Sequence, residues 1–393
     1  MLKNTFSPWP SFSEDEANAV KKIILSNKVN YWTGEECRIF EKDFANFTNC
    51  KYAVALSNGT VALDLALKAI NIKANDEVIV TPRTFIASAS SILNVGAKPV
   101  FADVDETSGN VNAETIKKVI TSKTKAIICV HIGGWPCEMD DIIKLAKDNK
   151  LKVIEDCSQA HGALYKGKSV GSFGDVSTWS FCQDKIITTI GEGGMVTTNN
   201  KRLWSFMWSY KDHGKSWSAI YKKNQKEFGF KWVHERVGTN WRMTEVQAKV
   251  GRIQLSQLKK WNKIRNKNAK EIFNVSKKFK GIITPIPEHH INHAYYKVYI
   301  YIKENWLNKG WTRDRILTEL QKLGVPCGQG ICSEVYLEKT FKSLHTEPIK
   351  RLPIARKLGE VSLMFLVHPT LTKEEITKTK KSILKVFTLA FKT

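Results

Sequence analysis

The feature that most constrains the fold is an alternation, between residues 52 and 156, of continuous apolar runs with amphipathic helical patterns. The strand-like runs are residues 52–56, 77–82, 99–104, 126–131 and 152–156, and the last of them ends in the acids Glu155 and Asp156. Because these runs lack an alternating polar face, they are typical of strands that are buried on both sides and joined by helices. The pattern therefore predicts an α/β fold in which helices cover both faces of a mostly parallel sheet.

Polar segments follow the carboxyl ends of the predicted strands, where ligands of such sheets bind. We expect four of them to converge on one crevice, namely residues 57–60, 83–85, 131–136 and 156–161. Residues 57–60, Ser-Asn-Gly-Thr, form a small turn before a helix, and the free backbone N–H groups of such a turn suit a phosphate. An ordinary capped helix explains the same four residues.

The length of 393 residues predicts about two domains. A long helical pattern after residue 243 continues into a lysine-rich stretch, 259–280, that links to a strand-like run at 295–302 and a final helix at 373–391. We therefore expect a large domain at residues 1–255 and a small α+β domain at residues 256–393.

A lysine lies in a polar segment between a strand-like run and a cluster of glycines. Lys185 follows Trp179–Phe181 and precedes Gly191–Gly194. An amine held on irregular backbone between two rigid elements can be stripped of water, which Schiff-base formation requires. Taken alone, the segment is equally well explained by a solvated lysine beside the glycines of a hairpin.

Other groups of the predicted crevice complement that lysine. Asp156 ends an apolar strand, and burying its charge is costly unless it faces a cation such as a pyridinium nitrogen. Residues 57–60 together with Ser180 offer phosphate contacts, and Phe85 offers a flat face for a ring. Lysine, acid, phosphate-binding turn and aromatic face together predict a pyridoxal-phosphate site.

The charge of the chain is strongly positive, with 61 lysines and arginines against 38 acids and a formal net charge of +23. The lysines are spread along the chain, and no helix-turn-helix, zinc-finger or aromatic RNA-binding signature accompanies them. We therefore predict no nucleic-acid partner. An anionic small substrate and a lysine-rich coding background both explain the charge.

Cysteine spacing and hydropathy further restrict the class of protein to which the chain can belong. The eight cysteines include no Cys-x-x-Cys pair, so neither a disulfide scaffold nor a metal site is expected. Residues 1–10 lack the apolar core of a signal peptide, and no later run is long enough to span a membrane. The sequence favours a soluble cytoplasmic protein.

Five motifs carry a resemblance to a known family. They are Ser57–Leu63, Thr84–Ala87, Glu155–Gly162, Ser180–Gly194 and Gly238–Met243. With these motifs the chain resembles, from about Trp32 to about Leu371, the fold-type-I, pyridoxal-phosphate-dependent sugar aminotransferases of the DegT/DnrJ/EryC1/StrS group. The resemblance implies a large cofactor-binding domain followed by a smaller C-terminal one.

The resemblance also implies roles for individual residues. Lys185 is the expected catalytic residue, which forms the Schiff base with pyridoxal phosphate and moves protons. The other expected cofactor contacts are Asp156 at the pyridine nitrogen, Gln159 near the ring hydroxyl, Gly59, Thr60 and Ser180 at the phosphate, and Phe85 against the ring. Asn240 matches a residue that reaches the phosphate of the neighbouring subunit, which implies a homodimer with shared active sites.

The family resemblance implies amino transfer, because a dehydratase branch has histidine in place of Lys185. The expected donor is L-glutamate, and the expected acceptor is an anionic keto or aldehyde sugar of surface polysaccharide or lipopolysaccharide synthesis. Arg83, Trp135 and Arg242 are the candidate substrate residues. An alternative of another class is a non-catalytic sugar-binding regulator with the same fold.

The substrate region departs from the family's common pattern. Most members that use nucleotide sugars have tyrosine at the position of Arg83 and a proline-histidine segment at 327–333, so a nucleotide-linked keto-deoxy sugar is the alternative acceptor. Residues 6–10, 30–34 and 133–137 are similar to the branch that aminates C8 of a 3-deoxy-octulosonate sugar acid. Arg83 suits a carboxylate or phosphate, although a structural ion pair explains it as well.

Overall fold

A computed structural model of the chain describes residues 6–221 and 232–392. The strands are β1 (Tyr52–Leu56), β2 (Glu77–Val80), β3 (Lys98–Phe101), β4 (Thr124–Val130), β5 (Lys152–Asp156), β6 (Leu164–Tyr165), β7 (Lys168–Ser169), β8 (Val176–Ser180), β9 (Gly194–Thr198), β10 (Ile282–Ile283), β11 (Ile291–Asn292), β12 (Val298–Ile302), β13 (Cys327–Gly328) and β14 (Ser362–Phe365). The helices are α1 (Glu14–Leu25), α2 (Glu36–Phe47), α3 (Gly59–Ala69), α4 (Ala87–Asn94), α5 (Ala113–Lys117), α6 (Met139–Asp148), α7 (Lys201–Tyr210), α8 (Trp217–Tyr221), α9 (Glu245–Ser276), α10 (Arg313–Lys322), α11 (Lys339–Ser343), α12 (Pro353–Val361) and α13 (Lys373–Ala390).

The largest sheet within the described ranges has seven strands in the order β1-β9-β8-β5-β4-β2-β3. Neighbouring strands from β8 to β3 are parallel, whereas β9 is antiparallel to both β1 and β8. All five residues of β8 and of β9 are buried, as expected for strands that helices cover on both faces. The predicted α/β fold with a mostly parallel sheet is confirmed.

The helix after β2 begins later than its apolar pattern predicts. The sequence predicts helix from Thr84, but α4 begins at Ala87. Thr84 and Phe85 lie in the turn that precedes the helix, and the Thr84 hydroxyl is 2.8 Å from the Ser88 hydroxyl in the first turn of α4. This turn places both side chains beside the carboxyl end of the sheet.

Helix α9 connects the two main cores. Leu258, near its middle, belongs to the same core as Trp179 of β8. Residues from Ala269 onward pack against the second sheet, whose antiparallel strands have the order β10-β12-β14-β13. The predicted boundary between residues 255 and 256 falls inside this helix, so its exact position stays a prediction.

Two further expectations concern membranes and cysteines. Within residues 6–221 and 232–392, no helix combines the length and apolar character needed to cross a bilayer. The eight cysteines are all unpaired, and five of them, Cys37, Cys50, Cys129, Cys137 and Cys157, are buried. Burial raises the pKa of the Cys129 and Cys137 thiols, so these residues act as small apolar side chains of the core.

Candidate active site

A cavity of about 780 Å³ lies at the carboxyl ends of β1, β2, β5 and β8. Its walls include seven of the residues predicted to bind a cofactor, which are Gly59, Thr60, Phe85, Asp156, Gln159, Ser180 and Lys185. The C-terminal part of the chain supplies Tyr296, Lys297 and Tyr299 on the opposite side. The cavity is therefore bounded by residues of both cores.

The turn between β1 and α3 approaches Ser180 closely. Asn58 caps α3 by accepting a hydrogen bond of 3.0 Å from the backbone N–H of Val61. A Cβ atom at Gly59 would lie 2.6 Å from the Cβ of Ser180, so only glycine allows this approach. The first N–H groups of α3 and the Ser180 hydroxyl thus border the same end of the cavity, an arrangement that suits a phosphate.

Asp156 is a buried acid at the end of β5. Its Oδ2 accepts a hydrogen bond of 2.8 Å from the Ser88 hydroxyl, and its Oδ1 accepts one of 3.1 Å from the backbone N–H of Ser158. No lysine or arginine of the described ranges forms an ion pair with it. A fixed carboxylate without a cationic partner suits a protonated ring nitrogen in the cavity.

Lys185 lies on the segment between β8 and β9, and its side chain is 15% exposed. Its Nζ is 3.9 Å from Oδ1 of Asp184 and 5.2 Å from the ring centre of Tyr296. The backbone carbonyl of Lys185 accepts a hydrogen bond of 2.8 Å from the indole N–H of Trp9. These contacts hold the amine at the cavity wall, where it can act as a nucleophile and a proton carrier.

Gln159 and Phe85 complete the wall around the expected ring. The Gln159 Oε1 accepts a hydrogen bond of 2.8 Å from the backbone N–H of Gly133, so the amide NH2 remains for the cavity. Phe85 is 62% exposed although it is large and apolar. Its face therefore remains available to a flat ligand.

Arg83 and Trp135 lie beside a second, smaller cavity that shares Lys297 and Tyr299 with the first. Arg83 is buried, donates a hydrogen bond of 2.9 Å from Nη1 to the Tyr301 hydroxyl, and stacks 4.9 Å from the ring centre of Tyr299. Its Nε and Nη2 are buried and find no partner among the described residues. Arg83 thus holds no structural ion pair in this part of the chain.

Asn240 and Arg242 are not among the residues that line the main cavity, although the backbone of Arg242 pairs with that of Leu56 at the end of β1. Asn240 is exposed, and its backbone pairs with that of Asp212. The Arg242 Nη1 is 2.5 Å from Oδ1 of the buried Asp212. The Arg242 guanidinium is thus engaged within its own chain, and the contact of Asn240 with a neighbouring subunit stays a prediction.

Three residues of the site, Ser88, Tyr296 and Lys297, were not predicted from the sequence. The Tyr296 hydroxyl donates a hydrogen bond to Oδ2 of Asp184, and burial lowers the pKa of Lys297 to about 8. The position of Lys297 between apolar and aromatic residues in the run 295–302 could have indicated that this lysine is buried. Ser88 carried no signal, because its contact with Asp156 joins residues 68 positions apart.

A buried group of His131, Glu155 and Cys157 has the spacing of metal ligands. His131 and Glu155 are already engaged, since His131 Nε2 is 3.1 Å from Glu155 Oε2 and His131 Nδ1 accepts from the Cys137 N–H. Burial alone would raise the pKa of Glu155, but the hydrogen bonds from His131 and from backbone N–H groups outweigh burial and hold the pKa below its ordinary value. These contacts make the group a structural network behind the cavity.

Comparison with known proteins agrees with this geometry. A sequence model described as the DegT/DnrJ/EryC1/StrS aminotransferase family matches residues 10–384. An aminotransferase from Psychrobacter cryohalolentis is 57% identical, and its X-ray structure matches with a TM-score of 0.96 over 98% of this chain and 99% of that one. The GDP-perosamine synthase of Escherichia coli O157:H7 is 35% identical over 95% of this chain and 96% of its own length. DesV of S. venezuelae, solved with a ketimine intermediate, is 28% identical, with a TM-score of 0.84 over 95% of this chain and 94% of that one.

Proposed function

The chain belongs to the DegT/DnrJ/EryC1/StrS aminotransferase family, and on that premise we propose that it transfers an amino group from L-glutamate to a nucleotide-linked keto sugar. It is a pyridoxal-phosphate-dependent sugar aminotransferase, like the family to which it belongs. The observation that carries the proposal is that Lys185, Asp156 and the contact between Gly59 and Ser180 border one cavity. A nucleotide-linked acceptor is supported by the relative named GDP-perosamine synthase.

The residues of the cavity fit pyridoxal phosphate. The glycine-dependent approach of α3 to Ser180 leaves space and N–H donors for the phosphate, and Asp156 provides a negative charge for the ring nitrogen. When bound, the cofactor supplies an electron sink for negative charge on the carbon that carries the amine. Ser88 and Ser158 hold the Asp156 carboxylate in one orientation, so its charge stays directed at the cavity.

Lys185 is the proposed catalytic residue. Its Nζ would hold the cofactor and, when an amine substrate has taken that place, would accept and return a proton in each half-reaction. Trp9 fixes the backbone carbonyl of Lys185, and the low exposure of the side chain limits competition from water. Gln159 and Phe85 would contact and orient the ring, which would reduce the motion that the proton transfer must overcome.

The proposed enzyme is a homodimer in which Asn240 reaches the cofactor phosphate of the partner. The exposed position of Asn240 supports this assignment. A cytoplasmic location stays a prediction from the sequence.

A second candidate acceptor is an oxidised 3-deoxy-octulosonate sugar acid aminated at C8 for lipopolysaccharide synthesis. Arg83 favours it, because two nitrogens of its buried guanidinium have no partner among the described residues and suit a carboxylate. The two acceptors differ in their anionic group, which is a diphosphate in one and a carboxylate in the other.

The test is an amino-transfer assay with L-glutamate and a panel of UDP-, GDP- and dTDP-linked keto sugars and the oxidised octulosonate. Wild-type protein loaded with pyridoxal phosphate is expected to absorb visible light and to aminate one member of the panel. Lys185→Ala should lose both signals, because its Nζ is the proposed point of attachment and proton carrier, whereas the exposed Lys201→Ala should keep both.

Two results would contradict the proposal. One is wild-type protein that stays colourless after addition of the cofactor. The other is coloured protein that binds a sugar of the panel without turnover, which would favour the non-catalytic regulator.

A further inference from the structure

A third cavity, of about 250 Å³, adjoins the main cavity and shares Asp184, Tyr296 and Lys297 with it. Its remaining walls come from the N-terminal segment around Trp9, from Arg265 of α9, and from the segment that contains His368. At ~30 Å³ per water molecule in the liquid, this space equals roughly eight waters. It has room for a small dicarboxylate and not for a nucleotide.

Arg265 is buried in this wall, with an exposure of 1%. Its Nη1 donates to the backbone carbonyls of Tyr295 and Tyr296 at 3.5 and 3.3 Å, and its guanidinium carbon lies 5.0 Å from the ring centre of Trp9. Its Nε and Nη2 are buried and have no partner in the described ranges. These two nitrogens form one edge of the guanidinium, which matches the two oxygens of a carboxylate.

The charges around the cavity are predominantly positive. Burial lowers the pKa of Arg265 to about 9 and that of Lys297 to about 8, so both are mainly cationic at neutral pH. Burial lowers the pKa of His368 to about 3, so this ring is neutral there. Asp184 is the nearby acid, but its carboxylate also accepts from Tyr296 and lies 3.9 Å from Lys185. A buried cation without a full counter-charge is costly and favours binding of an anion.

We propose that this cavity binds a carboxylate of the amino donor L-glutamate, through the free edge of Arg265 and the ammonium group of Lys297. The cavity adjoins Lys185 through Asp184 and Tyr296, so a donor anchored there presents its amine to the main cavity. The inference rests on the proposed function, because it takes L-glutamate as the amino donor. It assigns the donor and the sugar to different arginines, Arg265 and Arg83.

The test measures binding of glutarate, a five-carbon dicarboxylate that has no amine, to the holoenzyme by isothermal titration calorimetry. Wild-type protein is expected to bind glutarate saturably, and Arg265→Met to bind it at least tenfold more weakly. Lys297→Met should also weaken binding, and it decides the question if Arg265→Met does not fold. Arg356→Met, which removes an exposed arginine, is the matched control and should bind as wild type does.

Two further measurements separate a binding role from a structural one. The thermal midpoint of Arg265→Met should change little, because removal of a buried charge offsets the loss of two long hydrogen bonds to backbone carbonyls. In single-turnover assays, Arg265→Met should slow the L-glutamate half-reaction at least tenfold more than the sugar half-reaction.

Equal glutarate affinity in Arg265→Met and wild type would overturn the proposal, as would a larger loss in the sugar half-reaction. Glutarate binding needs no turnover, so it tests the subsite even if wild-type protein takes no amino group from L-glutamate. Failure of the wild-type protein to take an amino group from L-glutamate would contradict the proposal that L-glutamate is the donor.

Discussion

Two buried arginines, Arg83 and Arg265, line separate small cavities that both include Lys297. Each has one nitrogen bonded to the protein and an unpaired Nε and Nη2. Burial of a guanidinium with free donors is expensive in a molecule that gains nothing from it. At the scale of the residue, anion recognition is therefore the simplest account of both side chains.

The Arg83→Ala variant tests whether Arg83 binds the sugar and not the amino donor. We expect it to raise the KM for the sugar by about tenfold or more, since a charge-assisted pair contributes ~1.5–3 kcal/mol. The L-glutamate half-reaction should change little. Steady-state kinetics with each substrate varied in turn would measure both effects, with Arg356→Ala as the surface control. Equal losses in both halves would mean that Arg83 serves the cofactor site or the fold.

At the scale of the element, α9 stabilises the start of α2. Glu35, the N-cap residue before α2, forms no capping hydrogen bond with its side chain. Instead, the buried Glu245 carboxylate of α9 accepts hydrogen bonds from the N–H groups of Glu36, at 2.6 Å, and Cys37, at 3.2 Å. A negative charge at a helix N-terminus also interacts favourably with the helix dipole. One side chain thus joins two helices that are distant in sequence.

Glu245→Ala should therefore lower the free energy of unfolding by about 1–3 kcal/mol, because it leaves buried N–H groups without an acceptor. Urea unfolding monitored by circular dichroism would measure the change. Glu245→Gln keeps one acceptor oxygen and should lose less. Glu114→Ala, at an exposed glutamate with an exposed lysine partner, is the matched control. A Glu245→Ala variant as stable as the control would show that water replaces the carboxylate.

At the scale of the whole molecule, the net charge of +23 implies repulsion between like charges in the compact state. Raising the salt concentration from about 0.02 M to about 0.2 M shortens the screening length to roughly the spacing of surface charges. We expect the thermal midpoint at pH 7 to rise with salt. Near pH 9.6, where the net charge is close to zero, the rise should disappear. An equal rise at both pH values would indicate an effect of specific ion binding.

The parts that the sequence predicted are those set by local patterns. The bounds of β1 and β5 match the predicted strands, because Ala53–Leu56 of β1 and Val153 and Ile154 of β5 are the buried apolar residues that a covered strand requires. Local patterns could not predict the environment of Arg83, because its hydrogen bond to Tyr301 joins residues 218 positions apart. Lys297 was overlooked for a similar reason, because its burial depends on how the second sheet meets the first core.

The contact between Gly59 and Ser180 restricts how this enzyme can evolve. A Cβ at position 59 would meet the Cβ of residue 180, an atom that every amino acid except glycine carries. No single exchange of Ser180 for a residue with a Cβ therefore makes room for a larger residue at position 59. Drift and directed evolution must leave this end of the cavity unchanged and diversify the walls that include Tyr299 and Lys297. New sugar specificities should arise there while the cofactor end stays fixed.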